Sequence, residues 1–241
     1  MDDPAVRLVC FPHAGGAAST FHGWSQQLGP NVELLAVQYP GRQERLGDPV
    51  IESIEELADQ IAGELVTFLD RPLALFGHSM GAAVAHEVAR QLEDRYGEAL
   101  VRLFVSGRSA PDSGAGGTLL PQDDDLSDVD DDEALIAWAQ GQDAAVSAAY
   151  EVPELRELLL PSLRADLRAL AVYRPKHRAP LRTPITACGG DTDPGCAPTN
   201  LSSWQEATAG GFSTRIFPGD HFYLLSNPAG LISEICSGIL N

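Results

Sequence analysis

The length, composition and charge of the chain limit the classes of protein to which it can belong. With 241 residues, of which 44% are hydrophobic, the chain is long enough for one α/β domain with a sizeable core. Its net charge of −18, from 16 basic and 34 acidic residues, repels phosphate backbones and argues against nucleic-acid binding. No apolar run approaches the ~20 residues that span a bilayer, and the acidic start MDDP does not resemble a signal peptide. We therefore expect a cytoplasmic protein without a membrane segment.

Neither the cysteines nor the acidic run at 123–133 predicts a metal site. The run DDDLSDVDDDE holds eight acidic residues among eleven, and a solvated loop or helix N-terminus is favoured over a binding patch. The four cysteines lack the spacing of metal ligands and are expected to be free thiols in a reducing compartment. They are Cys10, Cys188, Cys196 and Cys236.

Short apolar runs alternate with amphipathic segments along most of the chain. In chain order they predict strand 6–11, strand 32–39, helix 53–69, strand 73–76, helix 80–96, strand 100–106, strand 185–188, strand 214–217 and helix 228–240. The helix at 53–69 follows a Ser53-x-x-Glu56 capping box. Such alternation predicts an α/β fold with a mainly parallel central sheet and helices on both faces.

One long region interrupts this alternation. Between Arg108 and about Pro180 the sequence predicts loops and helices but no strand. We interpret residues 109–175 as a helical lid inserted into a single domain that spans 1–241. Pro161 predicts the start of a second lid helix. The lid carries an apolar stripe that can pack on the core and also line a pocket, formed by Leu155, Leu158, Leu159, Leu163, Leu167 and Leu170.

The segment LALFGHSMGAAVA, at 73–85, places a serine between a predicted strand and a predicted helix. Ser79 lies in Gly77-His78-Ser79-Met80-Gly81, and a G-x-S-x-G turn of this kind presents a nucleophilic serine. The alternative interpretation is that Ser79 only caps the following helix. The flanking strand and helix favour the nucleophile.

A nucleophilic serine needs a base, and the base needs an orienting group. His221 is the best candidate base because it follows the last predicted strand, at the sheet edge where Ser79 also emerges. An acid is expected at the end of the preceding strand, where Asp191 and Asp193 both qualify. The chain order serine, aspartate, histidine is that of α/β-hydrolases.

Several motifs together resemble the discrete (type II) thioesterases of polyketide and nonribosomal peptide pathways, which are α/β-hydrolases. The resemblance covers nearly the full chain, although 123–133 and 141–154 do not follow the family pattern. The motifs are GHSMG at 77–81, FPHAGG at 11–16, YPGRQER at 39–45, GDHFYL at 219–224 and LRADLRALAVYRP at 163–175. In the family the acid lies in a G-x-x-D turn, which selects Asp193 and leaves Asp191 as a turn-stabilising residue.

The resemblance also implies an oxyanion hole and a reaction. One donor is the backbone N–H of Met80, the residue after the nucleophile. The second, by resemblance and by loop position, is that of Ala14. The implied reaction is hydrolysis of acyl groups from the phosphopantetheine arm of an acyl or peptidyl carrier protein. It releases misprimed or stalled groups, needs no cofactor or metal, and is expected from a monomer.

Two other functions remain open from the sequence. An acyl-CoA thioesterase or general carboxylesterase could use the same fold and the same residues. A catalytically silent binding protein is the third possibility, but the intact set of Ser79, Asp193 and His221 argues against it.

The distribution of basic residues bears on the encounter with an acidic carrier protein. Fifteen of the sixteen basic residues are arginines. Several lie in predicted loops, where they could form a local basic patch: Arg42, Arg45, Arg108, Arg174 and Arg178.

Overall fold

The computed structural model describes residues 4–97, 100–111, 129–140, 144–175 and 179–240. Its strands are β1 (Val6–Phe11), β2 (Val32–Ala36), β3 (Leu73–His78), β4 (Leu100–Ser106), β5 (Ile185–Gly190) and β6 (Phe212–Phe217). They form one six-stranded sheet in the order β2-β1-β3-β4-β5-β6, and every neighbouring pair is parallel. The predicted parallel sheet is confirmed.

The helices follow the strands along the chain. They are α1 (Ser25–Leu28), α2 (Ile54–Leu65), α3 (Met80–Tyr96), α4 (Asp132–Gln140), α5 (Ala144–Glu151), α6 (Pro153–Val172), α7 (Tyr223–Ser226) and α8 (Pro228–Leu240). Within the described ranges, no helix combines the length and the apolar character needed to cross a membrane.

Helices cover both faces of the sheet, as predicted, and each face has its own apolar core. Val9, Leu75 and Val105 pack on one face with residues of α2, α3 and the helices between β4 and β5. Leu8 and Phe76 pack on the other face with residues of α1 and α8. Successive side chains of a strand point to opposite faces, so strands buried on both sides appear in the sequence as continuous apolar runs.

Several predicted boundaries differ from those observed. The predicted helix 53–69 ends its α-helical part at Leu65 and continues as a 3₁₀ turn at Val66–Phe68. Strand β2 is shorter than predicted, whereas β5 and β6 are longer. The capping box is present, because the Ser53 hydroxyl oxygen accepts the N–H of Glu56 at 3.2 Å.

The helices between β4 and β5, here called the insertion helices (α4, α5 and α6), correct one prediction. Pro161 does not start a second helix, because α6 continues through it from Pro153 to Val172. Pro161 is exposed, and Leu160 and Leu163 on either side of it are buried. Packing of both halves of α6 on the core therefore outweighs the hydrogen bond that proline removes. Most of the acidic run lies outside the described residues.

Two glycines permit the tight turn from β3 into α3. A Cβ atom at Gly77 would overlap the backbone of Gly81, and a Cβ atom at Gly81 would overlap the carbonyl oxygen of Phe11 at the end of β1. Both neighbours are backbone atoms, which cannot move aside as the end of a side chain can. Helix α3 can therefore start against β1 only with glycine at these positions.

We expect Gly81→Ala to lower the free energy of unfolding by about 3 kcal/mol or more, because the added methyl group must displace backbone. The matched control is Gly63→Ala on α2, where a Cβ atom meets nothing within 4 Å. That change should raise the free energy of unfolding by about 0.5–1 kcal/mol. Urea denaturation followed by circular dichroism measures both, and equal effects would contradict the steric argument.

Candidate active site

Ser79 occupies the turn between β3 and α3 in a backbone conformation that is rare for a residue with a side chain. Its φ is 57° and its ψ is −116°, which places it among sparsely populated and strained conformations. The residue is 3% exposed, and its N–H donates to the carbonyl of Ser106 at the end of β4. Its side chain makes no capping hydrogen bond to α3. The helix-cap interpretation therefore does not account for a serine here.

His221 and Asp193 are in direct contact. The Nδ1 atom of His221 lies 2.8 Å from Oδ2 of Asp193, and both side chains are buried. The other carboxylate oxygen, Oδ1, accepts the N–H groups of Gly195 at 2.8 Å and Cys196 at 3.1 Å. An ionised carboxylate only accepts hydrogen bonds, so a neutral imidazole that donates through Nδ1 keeps Nε2 free to accept a proton.

The structure distinguishes the two carboxylates that the sequence left open. Asp191 is exposed and does not serve as the partner of His221. Its Oδ1 accepts the N–H of Gly219 at 2.8 Å, which ties the loop after β5 to the loop before His221. This contact agrees with the turn-stabilising role expected of Asp191.

Ser79, Asp193 and His221 lie at one edge of the sheet because each follows one of the strands β3, β5 and β6, which are parallel and end at that edge. Strand β4 ends between β3 and β5, and the residue that follows it, Gly107, has a φ of +63°. A Cβ atom at Gly107 would lie 2.8 Å from Cε1 of His78 and 3.1 Å from Cε1 of His221. The chain after β4 thus passes directly beside both imidazole rings, and only glycine leaves room for them.

Two further histidines, His13 and His78, lie close to His221, and the sequence analysis did not identify them as part of the site. The ring of His78 lies 4.8 Å from that of His221, and the ring of His13 lies 6.1 Å from that of His78, measured between centroids. Phe222 contacts all three rings edge-on. The signal was present in the sequence, because His13 and His78 both lie inside the glycine-containing motifs that flank the site.

Burial keeps these two histidines neutral. Burial, with smaller contributions from His221 and Arg42, lowers the pKa of His13 to about 3. Burial also lowers the pKa of His78 well below its usual value. The Nδ1 atom of His78 is 2.9 Å from the hydroxyl oxygen of Ser106, which is 2.7 Å from that of Tyr223. At neutral pH His221 therefore has uncharged imidazole neighbours.

The loop after β1, residues 12–16, lies beside the start of α3. The contact between Gly81 and the backbone of Phe11 and Pro12 places the two segments against each other. Ala14 is buried in this loop, and Met80 is the first residue of α3. No hydrogen bond from the N–H of Ala14 or Met80 to another described residue is present. Two backbone donors thus border the site from adjacent elements.

An ion pair behind this loop was not foreseen. Arg42, predicted as part of an exposed basic patch, is instead buried against Asp166 of α6, with Nη1–Oδ2 and Nη2–Oδ1 distances of 2.7 and 2.8 Å. Arg108 is half-buried, whereas Arg45 and Arg174 are exposed as expected. Arg178 lies outside the described residues. The prediction of a basic patch is therefore wrong for Arg42, which is buried in an ion pair.

The cysteines are free thiols, as expected. Burial raises the pKa of Cys10, Cys188 and Cys196, in the last case to about 12. Thiols with raised pKa values are poor nucleophiles at neutral pH, so Ser79 is the stronger nucleophile candidate.

Comparison with known proteins places this geometry in a family. Residues 6–239 match the thioesterase domain model. Thioesterase PikA5 of Streptomyces venezuelae is 43% identical over 236 residues, which cover 98% of this chain and 80% of PikA5. The gramicidin S biosynthesis protein GrsT of Aneurinibacillus migulanus is 34% identical over 234 residues, which cover 96% of this chain and 88% of GrsT. The structure of BorB, a type II thioesterase from the borrelidin biosynthetic cluster, superposes with a TM-score of 0.86 at 39% identity, covering 98% and 95% of the two chains.

The matched range, residues 6–239, includes the whole sheet, the serine turn and the His221–Asp193 pair. The fold is that of the α/β-hydrolases, and family membership makes the chain a hydrolase of the serine type. The chain belongs to the thioesterase family.

Proposed function

We propose that this chain is a type II thioesterase that hydrolyses acyl groups from the phosphopantetheine arm of acyl or peptidyl carrier proteins in polyketide or nonribosomal peptide synthesis. The observation that carries the proposal is the buried His221–Asp193 contact, at the sheet edge where the strained Ser79 turn is also found. The relatives GrsT and BorB, which the chain matches over nearly its whole length, support the biosynthetic setting.

In the proposed acylation step, Ser79 Oγ attacks the thioester carbonyl carbon while His221 Nε2 takes the hydroxyl proton. Asp193 orients the imidazole through Nδ1 and stabilises the imidazolium that forms. The N–H groups of Met80 and Ala14 bind the oxyanion of the tetrahedral intermediate. Collapse of that intermediate breaks the C–S bond, and the imidazolium returns its proton to the departing thiolate.

Deacylation repeats the sequence with water as the nucleophile. His221 removes a proton from water, the resulting hydroxide attacks the Ser79 acyl ester, and Ser79 leaves with the proton from His221. The product is a free carboxylic acid. All groups used are side chains and backbone amides of the chain itself. In this proposal the insertion helices act as a lid over the acyl group.

The proposal is tested by intact-mass analysis of acylated carrier proteins, incubated with and without the enzyme over a series of acyl lengths. We expect loss of the acyl mass and retention of the phosphopantetheine arm. The alternative, an acyl-CoA thioesterase or general carboxylesterase, is less favoured by the relatives. It would give comparable kcat/KM on carrier-bound thioesters, acyl-CoA and p-nitrophenyl esters.

We expect Ser79→Ala and His221→Ala each to reduce kcat at least ~10³-fold, and the double variant to lose little more. Members of one proton-transfer unit act together, so removal of either disables the other. The control is His22→Ala, an exposed histidine at the end of a 3₁₀ turn, which should retain wild-type kcat. Losses that multiply in the double variant would show that Ser79 and His221 act independently.

Substitutions of Asp193 and Asp191 should affect different properties, catalysis in the first case and stability in the second. Asp193→Asn should lower kcat by about 10⁴-fold with the fold intact, because an amide does not hold His221 in the required tautomer. Asp191→Asn should keep kcat close to wild type and lower the melting temperature, because only the loop contact to Gly219 is weakened. Steady-state kinetics and thermal denaturation of both variants make the comparison; the reverse pattern would reassign the acid.

The charge of the chain predicts a weak response to salt. Carrier proteins are generally acidic, the chain carries −18, and most exposed arginines of the described residues are already paired with carboxylates, as in Arg45–Asp48, Arg95–Asp59 and Arg215–Glu234. Salt screens charges beyond ~8 Å at physiological ionic strength. We expect kcat/KM on carrier-bound substrate to stay flat or rise slightly with salt.

The control for this measurement is a neutral acyl-N-acetylcysteamine substrate, which reports effects of salt on the chemical steps alone. A steep fall of kcat/KM with the carrier substrate only would mean that attraction steers the encounter, and would contradict the expectation.

A further inference from the structure

The ion pair between Arg42 and Asp166 is the most deeply buried arginine–carboxylate pair among the described residues. The two side chains are 5% and 1% exposed. Nη1 of Arg42 donates to Oδ2 of Asp166 at 2.7 Å, and Nη2 donates to Oδ1 at 2.8 Å. Arg42 follows β2 and Asp166 lies on α6, 124 positions away along the chain. A buried pair of this kind often contributes no more stability than apolar residues of similar volume. Stability alone therefore does not explain why a buried ion pair is present at this position.

Both members of the pair also bind the backbone of the loop at 12–16. Oδ2 of Asp166 accepts the N–H of Gly15 at 2.7 Å. Nη1 of Arg42 donates to the carbonyl oxygen of Gly16 at 2.9 Å. The Arg42 guanidinium lies over the ring of Tyr39, whose hydroxyl donates to the carbonyl oxygen of Pro12 at 3.3 Å.

These contacts act on the peptide groups that flank the Ala14 amide. The Pro12 carbonyl belongs to the peptide group before the one that carries the Ala14 N–H, and the Gly15 N–H belongs to the one after it. The intervening peptide group is itself held, because its His13 carbonyl oxygen accepts the N–H of Gly16 at 2.9 Å, and rotation of the group would break that hydrogen bond. Arg42 and Asp166 bind the Gly16 carbonyl oxygen and the Gly15 N–H, and so keep Gly16 in position to donate to the His13 carbonyl and fix the direction of the Ala14 N–H.

We propose that Arg42 and Asp166 are positioning residues that hold the loop at 12–16 so that the Ala14 N–H is preformed as an oxyanion donor. This inference rests on the proposed function through the role assigned to Ala14. Because Asp166 belongs to α6, the proposal also means that α6 helps to position the oxyanion hole. The alternative is that the pair only joins α6 to the body of the protein.

The test replaces both charges at once, as Arg42→Met with Asp166→Leu, so that no unpaired charge is left in the interior. Thermal denaturation reports the fold. Steady-state kinetics on an acyl-N-acetylcysteamine thioester gives kcat and KM separately. A second assay uses intact-mass analysis to follow the phosphonylation of Ser79 by an alkyl fluorophosphonate. Negative charge develops on the phosphonyl oxygen in this reaction too. The matched control is Arg168→Met with Glu52→Gln, which removes another ion pair of α6 that does not touch the loop.

We expect the double variant to keep a melting temperature near wild type, with kcat and the rate of phosphonylation about 100-fold lower and KM within about threefold of wild type. The control should keep wild-type rates. A folded double variant with kcat and phosphonylation within threefold of wild type would overturn the proposal, because it would show that the pair serves the fold alone.

If the double variant does not fold, the same measurements on Arg42→Lys test the proposal. Lysine keeps the charge opposite Asp166, but a single ammonium group cannot bind both carboxylate oxygens and the Gly16 carbonyl as the guanidinium does. A kcat at least ~10-fold lower with unchanged KM supports the proposal, and wild-type kcat and phosphonylation overturn it. Neither substrate probe contains a carrier protein. Failure of the wild-type enzyme on carrier-bound thioesters would therefore refute the proposed function separately.

Discussion

Helix α3 begins so close to the end of strand β1 that a side chain at position 81 would overlap the Phe11 carbonyl. This close approach is what brings the loop after β1, with Ala14, beside the first amide of α3. It also requires the turn after β3 to be so tight that Ser79 adopts a positive φ. The remaining elements of the site are arranged around this contact. The loops after β4, β5 and β6 bring Gly107, Asp193 and His221 to the same edge of the sheet.

The side chains packed around His221 are buried, and the aromatic rings among them carry no charge. His13 and His78 are neutral because burial lowers the pKa of each, and Phe222 fills the space between the rings. Electrostatic interactions are stronger in such an environment than in water. Burial therefore strengthens the contact between Asp193 and His221, and no charge on a neighbouring ring competes with it, which suits a carboxylate whose proposed task is to orient a base.

Much of the fold could be predicted from the sequence because its signals are local. Apolar runs gave β1, β4 and α8 their observed bounds, and the serine between two glycines identified the turn. The ends of β5 show where local reasoning stops. Gly189 and Gly190 look like turn residues, but they pair with Ile216 and Phe217 and so extend the strand.

In the candidate site, too, some residues could be identified from local sequence signals and others could not. Ser79 and His221 were identified by their place relative to predicted strands, while the choice between Asp191 and Asp193 needed the family motif and, in the structure, the contact with His221. The contact of Arg42 with Asp166 joins residues 124 positions apart, and no periodicity or spacing encodes such a pairing. Pro161 failed as a helix boundary for a related reason, since tertiary packing of α6 outweighs the local preference.

The order of the site residues along the chain has a consequence for how the protein matures. The loop with Ala14 and the turn with Ser79 are synthesised early, the insertion helices and Asp193 follow, and His221 comes after β6, the strand at one edge of the sheet. The chain is synthesised from its N-terminus, so the nucleophile is made well before its base. In the proposed mechanism Ser79 stays unactivated until the edge strand has docked. Hydrolytic activity would then mark a completed sheet, and an incompletely folded chain would bear a serine turn without the means to cleave the acyl groups it meets.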